Sequence, residues 1–300
     1  MDPFWPRHSP HFLACRQAVR RWEGPAVVGL SGGPDSLALV AAAAAEKKDV
    51  EAVVVDHGLQ EGSAAIAQQA ADQARSLGVP ARVVAVEVAP GNVEAQARTA
   101  RYAALHEVAG GRDIWVGHTR DDQAETLLLM ALRARPIGMS ERAGQVVRPL
   151  LSVRRADTVG ACQELGLAYW QDPMNADSAY RRVRVRQEVL PLLAEVLGGD
   201  AVEPLAHAAE QLVATEDFLT PLARPTTDCA ALAGDHPAVR ERKIAAWLHE
   251  NGIVPSASSI SEIARLCTHW RGQGPIPVGG GLAVVREGGR LVMRGTEING

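Results

Sequence analysis

Ser31-Gly32-Gly33-Pro34-Asp35-Ser36 stands between two apolar runs of different character. Before it, Ala26-Val27-Val28-Gly29-Leu30 is short and valine-rich and reads as a buried strand. After it, residues 37–45 are alanine- and leucine-rich and read as a helix. Two consecutive glycines strip the turn of Cβ atoms, so its backbone can approach a bound group closely. Pro34 suits the first helical turn, where a missing N–H has no helical partner in any case. The amides of loop and first turn then converge on one spot that the helix dipole makes positive, which is an anion cradle for phosphate. Glycines alone describe an empty turn better than a site. The hydroxyls of Ser31 and Ser36 and the carboxylate of Asp35 favour a ligand, as donors to phosphate and a holder of Mg²⁺. The loop lacks the lysine of the Gly-x4-Gly-Lys-Ser/Thr type and the spacing of Gly-x-Gly-x-x-Gly.

Working outward, strand and helix patterns alternate. Val53-Val54-Val55, residues 82–88, Ile114-Trp115-Val116 and Val146-Val147 read as strands. Helices are expected over about 12–22, 62–77, 93–108, 121–133 and 153–165. This order implies an α/β fold, a doubly wound and mostly parallel sheet with helices on both faces. Such sheets bind ligands beyond the carboxyl ends of their strands, where the polar clusters 31–36, 56–58 and 117–122 all fall. From 172 the pattern changes, and after Gly198-Gly199 it is mainly helical, closing in a hairpin around Gly288-Gly289. Two domains are expected, a catalytic one over 1–195 and a smaller, mainly helical one over 196–300 with a terminal β-hairpin.

The bulk numbers narrow the class. At 300 residues, 47% hydrophobic and 22% charged, the chain is ordinary for a soluble globular protein. The apolar run 37–45 is too short to span a bilayer, and the N-terminus carries no apolar secretory segment, so a cytoplasmic protein with no membrane partner is expected. Cys15, Cys162, Cys229 and Cys267 are widely spaced and read as reduced thiols rather than a zinc or disulfide framework. Net charge is −4, and only Lys47, Lys48 and Lys243 among 31 basic residues are lysine, so arginine is the default cation here.

Three further clusters could carry chemistry. In His118-Thr119-Arg120-Asp121-Asp122-Gln123-Ala124-Glu125-Thr126, Asp122 and Glu125 share a helix face at i and i+3. Acids in a first turn also complement the helix dipole. His118 at the strand end and Glu125 further in exceed what capping needs, and such carboxylates can hold Mg²⁺ or a cationic substrate. In Glu94-Ala95-Gln96-Ala97-Arg98, continuing to Arg101-Tyr102, an i,i+4 ion pair is the simple reading, and Arg98 with Arg101 forms a ridge that could meet phosphates. Between 148 and 186 stand seven arginines and four acids, either a solvated face or a contact for a nucleic-acid backbone. No Ser/His/Asp spacing and no His-Glu-x-x-His motif is present.

The loop resembles the pyrophosphate loop of N-type ATP pyrophosphatases, Ser-Gly-Gly-x-Asp-Ser. Within that superfamily, six further stretches resemble tRNA(Ile)-lysidine synthetases, in that family's order over about 26–193. They are Val55-Asp56-His57-Gly58-Leu59, the 94–102 cluster, 118–126, Arg148-Pro149-Leu150-Leu151, Asp172-Pro173-x-Asn175, and the arginine run ending Glu188-Val189-Leu190-Pro191. The resemblance implies that ATP adenylates the wobble cytidine of CAU-anticodon tRNA(Ile), after which free L-lysine displaces AMP. It implies an ATP site of Ser31, Gly32, Gly33, Pro34, Asp35, Ser36, Asp56 and His57, and Mg²⁺ on Asp35 and Asp121. Asp122 and Glu125 would grip the lysine amines, one of them or His118 would take a proton, and Arg98 and Arg184 would offset charge. A homodimer is left open. The chain departs from the family's pattern at 134–137, where a Gly-rich segment is shortened. Two other readings are a thiolase-type tRNA-modifying enzyme of the same superfamily, which lacks support from any Cys-x-x-Cys pair, and a non-catalytic ATP-binding module.

Overall fold

The computed structural model describes residues 5–6, 8–58, 62–87, 93–133, 136–170 and 180–295, so the Asp172-to-Asn175 motif lies outside the described residues. A helix α1 (Pro10–Arg20) precedes strand β1 (Ala26–Gly29), helix α2 (Pro34–Ala45), β2 (Val50–Asp56) and α3 (Ser63–Ser76). Then come β3 (Ala81–Ala85), α4 (Val93–Ala109), β4 (Asp113–Val116), α5 (Arg120–Ala131), β5 (Arg142–Ala143), β6 (Val146–Val147) and α6 (Arg155–Glu164). The strands form one sheet in the order β3-β2-β1-β4-β6-β5, parallel except for β5. That antiparallel edge strand has only two exposed residues and carries no periodicity a sequence reading could detect. The doubly wound α/β sheet is otherwise as the alternation predicts.

Strand order reverses direction between β1 and β4, and this switch point is where loop 31–33 and residues 117–119 emerge side by side. Successive residues of β1 face opposite layers. Val28 joins the core under α1, α2 and α6 with Trp115 and Val147, while Val27 joins Val53, Leu105 and Ile114 under α4. Helix α2 is buried continuously from Ser36 to Ala43, and its alanines let α1 and α6 approach closely. Gly117 takes this approach to its limit. A Cβ there would lie 3.0 Å from the carbonyl carbon and oxygen of Asp35 and from the amide nitrogen of Ser36.

Beyond 180 a helix begins as α7 (Arg181–Arg184), widens into a π-helical turn over Val185–Val189 and continues as α8 (Leu190–Leu197). Helix α9 (Val202–Leu219) follows. Val185, Leu190 and Val202 pack with Ala124 of α5, and Ala209 sits against Gly138. The chain accordingly divides into compact units 1–210 and 211–300, inside α9 rather than near 195–200, because the first turns of α9 are buried in the first unit. The second unit holds α10 (Cys229–Gly234), α11 (Pro237–Glu250) and α12 (Ala257–Thr268). With them is a three-stranded antiparallel sheet of β7 (Ile276–Gly279), β8 (Leu282–Glu287) and β9 (Arg290–Gly295), one strand more than the expected hairpin. Its own core includes Leu232, Ile244, Leu248, Ile263 and Val284. All four cysteines are buried and unbridged. Among the described residues no helix is long and apolar enough to cross a membrane.

The Gly117 contact is with backbone, which cannot rotate away. Gly117→Ala is therefore expected to destabilise the protein by about 1–3 kcal/mol, the usual cost of an overpacked core position. Thermal denaturation should show a lower Tm, whereas Gly144→Ala, where nothing lies within 4 Å of an added Cβ, strains only a left-handed turn and leaves the 31–36 loop intact.

Candidate functional site

Loop 31–33 is shaped from within. Gly32 takes a left-handed φ of +81°, and its carbonyl accepts from the Trp170 amide at 2.9 Å. The Ser31 amide donates to Ser36 Oγ at 3.1 Å, and the Ser36 hydroxyl donates to the Gly33 carbonyl at 3.0 Å. Ser36 is therefore a buried clasp of the loop, and Ser31 is the exposed hydroxyl. Gly33 caps α2 without a side chain, so the amides of the first turn are left for an external acceptor.

The loop opens into a cleft of about 590 Å³ at the carboxyl ends of β1, β2 and β4. Asp35, Asp56, His57, Arg98, His118 and Asp122 all line it, as do Ser31, Gly33, Pro34 and Ser36. Both ring nitrogens of His57 are buried without a hydrogen-bond partner, as is Nδ1 of His118. Burial, reinforced by the charges of Arg148, Arg98 and Arg182, pushes the His118 pKa down to about 4 against the pull of Asp122. Burial also lowers that of His57, with Arg101 adding to it. Arg98 lays its guanidinium over the Tyr102 ring, 4.9 Å from the centroid.

The acids are organised by a residue the motifs do not mark. Arg155, at the first position of α6, donates to Asp122 Oδ1 at 2.6 Å and to Glu125 Oε1 at 2.9 Å, with its Nε 3.5 Å from Asp35 Oδ2. The Thr158 hydroxyl, one turn on, also donates to Asp35. Asp122 closes a capping box with Thr119, whose amide and hydroxyl both donate to Oδ2 at 2.8 Å. Burial alone would raise the Asp122 pKa; Arg155, His118 and the Thr119 bonds overcome it and hold the carboxyl well below the usual range. In Asp35 burial wins, aided by the charge of Asp122, and its pKa is raised despite Arg155 and Thr158.

Four expected site residues stand apart from the cleft lining, the first being Gly32, buried in the loop. Glu125 is wholly buried and paired with Arg155 and Arg186. Asp121 points to the start of α6, where its Oδ2 accepts from the Arg155 amide at 2.7 Å and Arg154 Nε at 3.3 Å. Arg184 is exposed and bound to Glu188. Arg182 and Arg186 line the cleft in its stead. Helical residues four apart share a face and the one between them lies opposite, so 182 and 186 turn inward together and 184 outward. A signal for Arg155 was available. An arginine opening a helix opposes the dipole and needs a carboxylate to justify it.

Among the described residues no three His, Cys, Asp or Glu side chains converge to hold a metal. The donor set fits an ion that takes one carboxylate, Asp35, and completes its shell with phosphate and water, as Mg²⁺ does.

Sheet order, loop and cleft together define a PP-loop protein, an ATP-using class. The family model of the PP-loop domain matches residues 15–193, and that of the TilS substrate binding domain matches 228–292. The chain is 51% identical over 292 residues to the tRNA(Ile)-lysidine synthase of Corynebacterium diphtheriae, covering 97% of this chain and 99% of that one. It is 48% identical over 302 residues to the Corynebacterium glutamicum tRNA(Ile)-lysidine synthase, covering 95% and 96%. Among solved structures, the U34-tRNA thiolase NcsA from Methanococcus maripaludis with its 4Fe-4S cluster is similar with a TM-score of 0.57 and 17% identity, over 67% of this chain and 79% of that chain. That likeness concerns the fold alone. The chain belongs to the tRNA(Ile)-lysidine synthase family and is an enzyme of the PP-loop class.

A neutral buried histidine makes stability depend on pH. The unfolded chain binds the His118 proton below about 6.5 and the folded one only below about 4, so stability falls as pH drops through that window. Urea unfolding from pH 7 to pH 4 should show this slope, and His118→Gln should make it shallower, His57 contributing in the same direction. An NMR titration in which His118 charges near pH 6.5 would contradict the assignment.

Proposed function

We propose that this chain ligates the ε-amino group of free lysine to C2 of the wobble cytidine in CAU-anticodon tRNA(Ile), at the cost of ATP. In the first step the cytidine C2 oxygen attacks the α-phosphorus, and the bond to pyrophosphate breaks. In the second the lysine nitrogen attacks C2, the C2–O bond breaks and AMP leaves with its electrons, while the amine loses a proton. The observation that carries this reading is the meeting of an uncapped α2 N-terminus with the Asp122–Glu125 acid pair at one switch point.

Each residue has a task that its surroundings support. The uncapped amides of Asp35 and Ser36 at the start of α2 and the Ser31 hydroxyl would hold the departing pyrophosphate, where charge develops. Asp35 would hold Mg²⁺ together with the phosphates; the ion would supply charge neutralisation at the leaving group. His57 and Asp56, at the end of β2 and lining the same cleft, are assigned to the nucleoside of ATP. Asp122 and Glu125 supply negative charge for the lysine ammonium. Both already accept hydrogen bonds from arginine, and they serve to bind the ammonium rather than to take its proton. His118 lines the cleft, is neutral and has an unpartnered Nδ1, and that proton is assigned to it. Arg98, Arg182 and Arg186 offset charge on phosphate or adenylated base. The wobble base reaches the cleft from a single-stranded loop, which makes its unstacking inexpensive.

Incubation with ATP, Mg²⁺, labelled lysine and tRNA(Ile) transcripts tests the reading. Label is expected in the CAU transcript and not in a GAU transcript; ATP binding with label in neither would show a binding module instead. Asp35→Asn should abolish pyrophosphate release. Glu125→Gln should raise the lysine KM roughly tenfold to a hundredfold, as loss of a charged hydrogen bond does.

A further inference from the structure

The two acids assigned to the lysine ammonium already hold cations, and those cations are not equally fixed. Asp122 has both oxygens engaged, Oδ2 by Thr119 and Oδ1 by Arg155. Arg155 is anchored at many points. Its side chain reaches Asp122, Glu125 and Asp35, and its backbone amide is bound to Asp121. Arg186 is different. Its Nε donates to Glu125 Oε1 at 2.7 Å and its Nη2 to Oε2 at 3.2 Å, and it is otherwise only within 3.9 Å of Asp122. It lines the cleft with a side chain 29% exposed, and it rises from the π-helical turn Val185–Val189. Single π-turns in helices concentrate at functional sites.

Removal of Arg186 alone would free Oε2 of Glu125 and one lone pair of Oε1. Oε2 would keep only a distant Arg182 Nε at 3.8 Å. Removal of Arg155 would instead leave three carboxylates together without a shared counter-charge.

We propose that Arg186 is an internal stand-in for the substrate cation, a positioning residue that occupies the Glu125 carboxylate until an anion enters the cleft. The proposal rests on the assignment of Glu125 to lysine made above. When ATP or the adenylated base brings phosphate into the cleft, the Arg186 guanidinium transfers to it, and the carboxylate becomes available to an ammonium. Lysine then binds well only to the enzyme that already holds nucleotide, which keeps the amine out of the cleft until the group it attacks is present. Because binding free energies are reciprocal, lysine must strengthen nucleotide binding by the same factor.

Calorimetric titration of the full chain with L-lysine, with and without Mg²⁺ and α,β-methylene-ATP, tests this. The wild-type protein is expected to bind lysine at least about tenfold more tightly with the analogue than without it, within the usual range of coupling between sites. Arg186→Gln should bind lysine without nucleotide about tenfold more tightly than wild type, and the analogue should add nothing further. Arg186→Lys keeps a cation on Glu125 and should retain the wild-type coupling. Equal lysine affinity in wild type and Arg186→Gln, or coupling that survives in Arg186→Gln, would overturn the proposal. Absence of nucleotide–lysine coupling in the wild type would do so without any variant, should Arg186→Gln fail to fold. The lysine-incorporation assay separates the two levels. Product from the wild type without these binding changes rejects the stand-in alone, and no product rejects the lysine assignment and the stand-in with it.

Discussion

The guanidinium of Arg155 is the common counter-charge of three carboxylates, Asp35 on α2 and Asp122 and Glu125 on α5. Without it, Glu125 at 0% exposure and Asp122 at 6% would be buried anions facing one another. Such groups neutralise or drive the fold apart unless a cation answers them. The arrangement gives the phosphate loop and the amine-binding acids one shared charge, so neither half of the site is electrostatically independent. Arg182 and Arg186 from the helix after 180 complete the balance.

This network depends on close backbone approach elsewhere. β1 and β4 are neighbours, and Gly117 lets the end of β4 touch the first turn of α2. The alanine-rich body of α2 lets α6 come near enough for Arg155 and Thr158 to reach Asp35. On the far side Gln123 holds both the amide and the carbonyl of Met139, and Gly138 fits under Ala209. The Gly138-Met139 pair that follows the shortened 134–137 segment is thus part of how α5 is fixed.

Much of this was legible in the sequence because it is local. The phosphate loop is a strand, two glycines and a helix start, and its reading needs no distant residue. The parallel sheet follows from the alternation of valine-rich strands and helices. The placing of Asp122 and Glu125 on one face of α5 is a local i,i+3 pattern. What escaped was long-range or rotational. Arg155 acts across 120 residues on Asp35, and nothing in its own neighbourhood names those partners. Arg184 came from the resemblance, and an arginine run alone does not give the helix phase that turns Arg182 and Arg186 inward, which the packing of Val183 and Val185 sets. The i,i+3 spacing sets Asp122 on the face of Glu125 and Asp121 elsewhere, but nothing local says that Asp121 binds the start of α6. The two-residue strand β5 and the start of α9 inside the first unit are decided by packing, for which a sequence carries little local signal.

The central claim is that Arg155 makes the loop carboxylate and the buried acid pair one unit. A double-mutant cycle in urea unfolding, with Asp35→Asn, Glu125→Gln and their combination, tests it most directly. The account predicts that the combined effect departs from the sum by about 1 kcal/mol or more, the range for groups in one ionic network. Additivity within about 0.5 kcal/mol, the behaviour of independent sites, would contradict it.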